Sequence, residues 1–260
     1  MSYSPYAPPR HHPHPPYGGY GPRFVYQPLG WKTTAIVVGI LATVILEMAT
    51  TGLTWALGGG AGETGNMAAL MATGLLGLVQ FGGSLFTIVV FLMWIHNAAK
   101  NVRTFGHEGL RFTPGWAVGW WFIPIASMWM PFLALREIWR ASEPDGVGRG
   151  HPGGWMTAPV PATFNVWWFT YLLAGFVGAF AALSALLNPG SAAASAPAIS
   201  MVSHAFNAVA AITIVVIVRR LAQNQDASHE KLRAAEQAGG YGGPPGYGGP
   251  PGYPPYGVRT

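Results

Sequence analysis

Five long apolar blocks determine what this chain can fold into. A helix needs about 20 predominantly apolar residues to cross about 30 Å of hydrocarbon, and each block is long enough. None of them alternates polar and apolar residues as the strands of a membrane barrel do, so helices are predicted. Charged residues make up only 9% of the chain, against roughly 25% in soluble domains, which excludes an ordinary cytosolic enzyme. The blocks are residues 33–57, 70–95, 114–135, 164–187 and 199–221.

The distribution of basic residues predicts how many blocks cross the membrane. Lys and Arg concentrate in short cytoplasmic loops, and residues 58–69 and 188–198 contain neither. If the third block returns to the side from which it came, all 14 basic residues lie on one side. If it crosses, those that follow the third and fifth blocks lie outside. The sequence therefore predicts an all-α integral protein of the cell membrane, with four transmembrane helices in two hairpins and both termini cytoplasmic.

The third block, residues 114–135, is predicted to be a re-entrant or interfacial helical segment. Pro124 and Pro131 each remove a backbone donor and interrupt a straight helix. The same region holds five of the 11 tryptophans, a residue that prefers the headgroup boundary to the hydrocarbon centre. A kinked fifth span is the alternative. The five tryptophans are Trp116, Trp120, Trp121, Trp129 and Trp139.

Composition divides the chain into three parts. Residues 1–30, rich in Pro, Gly, Tyr and His, are predicted to be a disordered tail, since nothing in them can bury a core. Residues 31–225 form the predicted membrane domain, which contains the four spans and the third block. Residues 226–260 form the predicted cytoplasmic tail, and its YGGPPG-like units are of low complexity. The absence of cysteine excludes thiolate catalysis and Cys-based metal sites.

The run FTPGWAVGWWFIPIASMWMPFLALREIWRAS, residues 112–142, resembles the signature of the domain of unknown function 4328 family. The resemblance covers about residues 30–225 and implies a bacterial multi-pass membrane protein with no assigned activity. Ser127 stands where the family pattern usually has asparagine, and Met130 stands where it has a basic residue. The residues that match the motif are Pro114, Trp116, Trp120, Trp121, Pro124, Pro131, Arg136, Glu137 and Trp139.

Four polar residues inside the predicted spans form the first candidate site. Glu47 is the one acid deep in a span, and an ionisable group there is costly unless it is paired or protonated. At about 1.5 Å per residue, all four lie roughly 21–25 Å from the cytoplasmic ends of their spans. Such a polar layer could relay protons, bind a small polar ligand or join helices by hydrogen bonds. Its predicted members are Glu47, Gln80, His204 and Asn207.

The second candidate site is a polar cluster where the spans reach the cytoplasmic interface. Its asparagines could satisfy the proline-broken backbone of the third block, and its cations could bind a lipid phosphate or a cytoplasmic ligand. Snorkelling cations and a hydrogen-bond network at a helix end are the simpler interpretation. The predicted members are His96, Asn97, Lys100, Asn101, Arg103, Arg136, Glu137 and Arg140.

These patterns favour a non-enzymatic membrane scaffold or interaction module. The alternative is a small transporter or channel component that uses the polar layer around Glu47. An enzyme is not predicted, since no nucleophile–base pair or metal-ligand set is visible, and neither a metal nor a cofactor is expected. The expected partners are the bilayer, anionic lipid at the cytoplasmic face and other membrane proteins. Nucleic acid is not expected, because the cations are spread along the span ends.

Overall fold

The computed structural model describes residues 24–56, 67–107, 109–145 and 154–238. Within these ranges the chain is helical and contains no strand, as the sequence predicts. The described residues form six α-helices and three short 3-10 helices, the latter at Trp120–Phe122, Ala126–Met128 and Gly154–Thr157. The α-helices are α1 (Gly30–Ala56), α2 (Met67–Thr104), α3 (Pro114–Gly119), α4 (Met130–Ala141), α5 (Thr163–Leu187) and α6 (Pro189–Ala238).

Four of the helices in the described ranges are long and apolar enough to cross a membrane. Their outward side chains are large and apolar; Leu78, Phe81 and Leu186 are 69%, 69% and 78% exposed. Such a surface is typical of helices that contact lipid rather than water, because a soluble protein rarely exposes large contiguous apolar patches. The predicted architecture of four spans is confirmed. The helical stretches that contain an apolar segment of this length are Gly30–Leu53, Met71–Thr104, Thr163–Leu187 and Ala198–Ala238.

The four long helices pack as two antiparallel hairpins, α1 with α2 and α5 with α6. Helix α1 also contacts α6, so the hairpins meet along one side. In the first hairpin, Gly39 of α1 lies directly against the Thr87 side chain of α2, an approach that leaves no room for a Cβ atom. The buried apolar core lies mainly at the end where α2 finishes and α5 begins. We call this the basic end, since Lys100, Arg103 and Arg136 also lie there.

The third apolar block does not form a fifth span. Helix α3 has six residues and α4 has 12, about 9 and 18 Å, and neither can cross about 30 Å. The imidazole Nδ1 of His96 lies 3.1 Å from the Pro114 carbonyl oxygen, and Nε2 of His107 lies 2.9 Å from that of Ala141. Both contacts are with the end of α2 or just beyond it, so the segment begins and ends at the basic end.

The prolines explain where this segment is helical. Pro114 occupies the first turn of α3, where a missing N–H costs nothing, and the Thr113 side chain caps the helix by accepting from the Trp116 N–H. Pro131 likewise lies in the first turn of α4, although no side chain caps that helix. Pro124 lies between two 3-10 turns, where no α-helix forms. The predicted interruption at Pro124 and Pro131 therefore appears as two short helices separated by turns.

Two segments that composition assigns to the tails belong to the folded part. Helix α6 continues to Ala238, so residues 226–238 are helical rather than part of a low-complexity tail. Residues 24–29, which we call the N-terminal strap, lie against α2 and α6. A hydropathy profile misses both because neither segment contains a long apolar run. The predicted disorder of residues 1–23 and the repeats at 239–260 fall outside the described residues.

Candidate functional site

A cavity of about 510 Å³ lies between the two hairpins. All four long helices contribute to its wall, and the turn Trp120–Phe122 of the third block contributes two rings. The wall is mostly apolar, with a few hydroxyl, amide and carboxylate groups. The residues that line it are Ile36, Ile40, Thr43, Val44, Glu47, Ser84, Thr87, Ile88, Phe91, Leu92, Trp121, Phe122, Trp167, Tyr171, Asn207, Ala210, Ala211 and Ile214.

An acid–imidazole pair borders this cavity inside the spans. Oε1 of Glu47 on α1 lies 3.0 Å from Nε2 of His204 on α6. The two side chains remain 24% and 22% exposed, so the contact is not sealed by neighbouring helices. Asn207 lies one helical turn beyond His204 and lines the same cavity as Glu47. The structure therefore brings three of the four predicted polar residues to one place.

Gln80 lies elsewhere. It lines a separate groove formed by α1 and α2 alone, together with residues such as Trp31 and Val38. The depth of Gln80 along its helix resembles that of Glu47, but its position around the helix axis differs. Counting residues from a span end gives the depth of a side chain but not its direction around the helix axis. The four residues predicted to form one layer therefore lie on two different surfaces.

Aromatic rings form the part of the cavity wall nearest the basic end. The Phe91 and Trp121 rings meet edge to face, with centroids 5.7 Å apart and planes at 82°. Trp121 also meets Tyr171 at 6.4 Å and 71°, and Trp167 lies 6.3 Å from Tyr171. The third block thus supplies Trp121, which joins rings from both hairpins. Trp121, which belongs to the motif in residues 112–142, therefore contributes to the contact between the hairpins, a role that the motif's sequence alone does not indicate.

A buried polar network, which we call the hub, joins four parts of the chain at the basic end. Nδ2 of Asn101 donates to the Gln27 carbonyl at 2.8 Å and to Oε1 of Gln225 at 2.9 Å. Oδ1 of Asn101 accepts the Gln27 N–H at 2.9 Å. Nε2 of Gln225 donates to the Ala98 carbonyl and to Oγ of Ser142, both at 3.0 Å. The hub therefore connects the strap, α2, α6 and the residue that follows α4.

All the side chains of the hub are enclosed. Asn101, Gln225, Ser142 and Ser228 each have 0% exposure. Ser142 donates to the Ile138 carbonyl at 2.6 Å, and Ser228 donates to the Ser142 carbonyl at 3.1 Å. Because buried polar groups are costly unless they are paired, this arrangement fixes the relative position of the helices at the basic end.

The strap is also held by an aromatic contact. The Tyr26 ring stacks on His229 with centroids 4.0 Å apart, and its hydroxyl donates to Oδ1 of Asp226 at 2.5 Å. Burial raises the pKa of Tyr26 well above its ordinary value, and the hydrogen bond to Asp226 and the negative charges of Asp226 and Glu230 act in the same direction. Tyr26 therefore stays a neutral hydrogen-bond donor.

Most other members of the predicted interface cluster support the third block. Arg103 donates to the Phe112 carbonyl at 2.8 Å, and Glu137 accepts the Phe112 N–H at 3.0 Å. Arg136 lies over the Phe132 ring at 5.2 Å. Asn97, Lys100 and Arg140 are half-buried. Asn101 belongs to the hub, so these residues do not form a single site.

Sequence reasoning missed the hub partners of Asn101, which are Gln27, Ser142, Gln225 and Ser228. One signal was available, because Leu221, Gln225, Ser228 and Leu232 recur on one face of a helix. This spacing indicates that α6 continues beyond its apolar part. In the part of the chain that the structure describes, no three His, Asp or Glu side chains lie together as a metal site requires.

The family model named Domain of unknown function (DUF4328) matches residues 64–223, more than half of the chain. The chain belongs to the DUF4328 family. Comparisons with curated proteins and with solved structures give no match. The DUF4328 match covers α2, the third block, α5 and the spanning part of α6, and so contains His204, Asn207 and the cavity's aromatic rings. Glu47 and the strap precede it, and Gln225 follows it.

Proposed function

We propose that this DUF4328 chain is a non-enzymatic membrane protein that binds a small molecule in the cavity between its hairpins, as a carrier or a transporter component. The cavity itself carries the proposal. Its volume of about 510 Å³ falls within the roughly 300–1,000 Å³ of small-molecule sites. Its wall is largely apolar and aromatic, with polar groups confined to a few positions. That composition is typical of a ligand site.

The position of the Glu47–His204 pair supports binding over a purely structural role. An ionisable pair inside a span is costly, and a pair that only joins helices is best enclosed between them. Here both side chains are partly exposed, and Glu47 lines the cavity. A ligand in the cavity is therefore able to reach the carboxylate.

A scaffold that gathers partners at the basic end is the second candidate. The hub favours it, because Asn101 holds the strap beside α6 at Gln225, and Tyr26 of the strap contacts Asp226. A partner at the basic end would therefore meet the strap and the polar part of α6 together. Scaffolding needs no accessible cavity, which separates the two candidates by experiment.

We also propose that the basic end faces the cytoplasm and contacts anionic lipid. Cytoplasmic faces of membrane proteins are enriched in Lys and Arg, which are attracted to anionic headgroups. Arg103, Arg136 and Arg140 lie at this end and are half-buried rather than enclosed. A guanidinium that stays partly accessible can donate to the phosphate oxygens of a lipid. No nucleic-acid partner is proposed.

The binding proposal is tested with N-phenyl-1-naphthylamine, a neutral lipophilic fluorophore, and the full chain in phosphatidylcholine nanodiscs. Excitation of tryptophan should give energy transfer to the bound probe, because Trp121 and Trp167 line the cavity. We expect a saturable component above the linear signal of probe dissolved in lipid. Ala211→Phe places a ring in the cavity and should abolish this component.

Ala205→Phe is the matched control, because Ala205 lies on the same helix but is exposed on its outer surface. It should leave the saturable component unchanged. Equal curves for the wild-type chain and Ala211→Phe would contradict the binding proposal and favour the scaffold.

A further inference from the structure

We infer that the ligand of this cavity is a lipophilic monocation, recognised by the Glu47 carboxylate and by the aromatic rings of the wall. The inference rests on the proposed binding function and adds the chemical class of the ligand. It draws on three observations: the sign of the charge in the cavity, the kind of ring that surrounds it and the length of its apolar part.

Glu47 gives the cavity its charge. Among the described residues that line it, Glu47 is the one carboxylate, and no Lys or Arg is present. Its contact with His204 uses Oε1. The Glu47 carboxylate is the one group in the described lining that can carry a negative charge, and a ligand cation beside it would compensate that charge.

The rings of the wall favour the same kind of ligand. The faces of tryptophan, tyrosine and phenylalanine attract cations through their quadrupole, and rings set at steep angles offer both faces and edges to a guest. Trp121 meets Phe91 at 82° and Tyr171 at 71°. A cation with aryl or alkyl substituents therefore finds apolar contact and electrostatic attraction on the same surface.

The shape of the cavity sets the size of the apolar body. Ile40 and Ile36 line the same cavity seven and 11 residues before Glu47 on α1. At 1.5 Å per residue, the apolar part extends about 10–16 Å from the level of the carboxylate. A bare metal or ammonium ion would leave this length unfilled, whereas a lipophilic organic cation occupies it and places its charge towards Glu47.

The test compares two probes of similar size, one cationic and one neutral, in the same nanodiscs. Tetraphenylphosphonium is a lipophilic monocation, and triphenylphosphine oxide is a neutral analogue that carries three of the same rings. Each is titrated against bound N-phenyl-1-naphthylamine. We expect tetraphenylphosphonium to displace the fluorophore at a concentration at least tenfold lower than the oxide.

Variants identify the residue that causes the preference for the cation. Glu47→Gln should remove the tenfold preference while N-phenyl-1-naphthylamine still binds, and that retained binding reports that the cavity is intact. Glu47→Asp should keep the preference, because it keeps the charge. His204→Gln removes the competing imidazole while its amide can still donate to Glu47, so tetraphenylphosphonium should bind at least as tightly as to the wild-type chain. Glu143→Gln, at the basic end, is the matched control and should change nothing.

The possible failures are distinct. Equal displacement by the two probes in the wild-type chain, or a preference that survives Glu47→Gln, overturns the monocation inference and leaves the binding function in place. If the cavity is filled by a lipid acyl chain, N-phenyl-1-naphthylamine gives no saturable signal in any variant. That result removes the proposed function together with the inference.

Discussion

At the scale of single residues, Asn101 shows how a side-chain amide can replace a secondary-structure contact. Its oxygen and nitrogen bind the N–H and the carbonyl of Gln27, as a neighbouring β-strand would. The same nitrogen also reaches Gln225 on α6. The sequence places Asn101 in a polar cluster at a helix end, but burial decides its role, and burial depends on chain segments more than 70 positions away.

Asn101→Ala should lower the free energy of unfolding by about 2–4 kcal/mol, because it leaves the buried Oε1 of Gln225 and the partly buried backbone groups of Gln27 unpaired. Denaturant titration in mixed detergent micelles measures this loss. Gln223→Ala, an exposed amide on α6, is the control and should change stability by less than about 0.5 kcal/mol. Similar losses for the two variants would mean that the hub does not stabilise the fold.

His107 should make stability depend on pH. Burial lowers the pKa of His107 because the charged ring loses hydration, although the hydrogen bond with the Ala141 carbonyl partly opposes the shift. As the pH falls below about 6.5, the unfolded chain takes up the proton first, so the free energy of unfolding decreases. The loss continues until the pH reaches the lowered pKa of the folded state.

The measurement compares the unfolding midpoint of the wild-type chain and His107→Gln from about pH 8 to about pH 5, across the unfolded-state pKa of histidine. The wild-type midpoint should fall more steeply on acidification than that of the variant. Parallel pH profiles would show that His107 does not contribute. The other histidines are common to both proteins and cancel in the difference.

At the scale of helices, the closest approach in the first hairpin is between Gly39 and Thr87. A Cβ atom at Gly39 would overlap the Thr87 side chain, and a β-branched residue has little freedom to move aside. Gly39→Ala should therefore destabilise the α1–α2 contact by about 1–3 kcal/mol. Thermal unfolding in detergent is a suitable measurement.

Thr87→Ala should recover much of this loss in the double variant, which a double-mutant cycle quantifies. Gly77→Ala is the control, since nothing lies within 4 Å of its Cβ position. If the two single glycine variants have equal stability, the helices do not pack as closely at Gly39 as described.

The elements differ in how far they follow from sequence alone. The four spans are predictable because length and hydropathy are local properties. The sequence also predicts that the third block is not a straight span, since its prolines interrupt a helix and its tryptophans favour the headgroup boundary. The final turns of α6 are not recognised, because their contacts with α2 and Ser142 involve residues such as Gln225 and Ser228, which hydropathy treats as solvent-exposed.

At the scale of the whole molecule, the candidate site also follows only in part from the sequence. Depth along a helix can be counted, and it correctly suggests that Glu47 and His204 lie near each other. Rotation about a helix axis is set by packing, and this separates Gln80 from the cavity. The role of Trp121 was equally hidden, because it depends on how the third block folds back between the hairpins.

Single-cysteine labelling tests this arrangement most directly, because the chain has no cysteine of its own. Arg111, Thr157, Gln237 and Gly190 are exposed and are replaced one at a time by cysteine. Intact and permeabilised cells are then treated with a membrane-impermeant maleimide. We expect cysteines at Arg111, Thr157 and Gln237 to react only after permeabilisation, whereas one at Gly190 should react in intact cells. A cysteine at Thr157 that reacts in intact cells, while those at Arg111 and Gly190 do not, would place the two ends of the third block on opposite sides and contradict this topology.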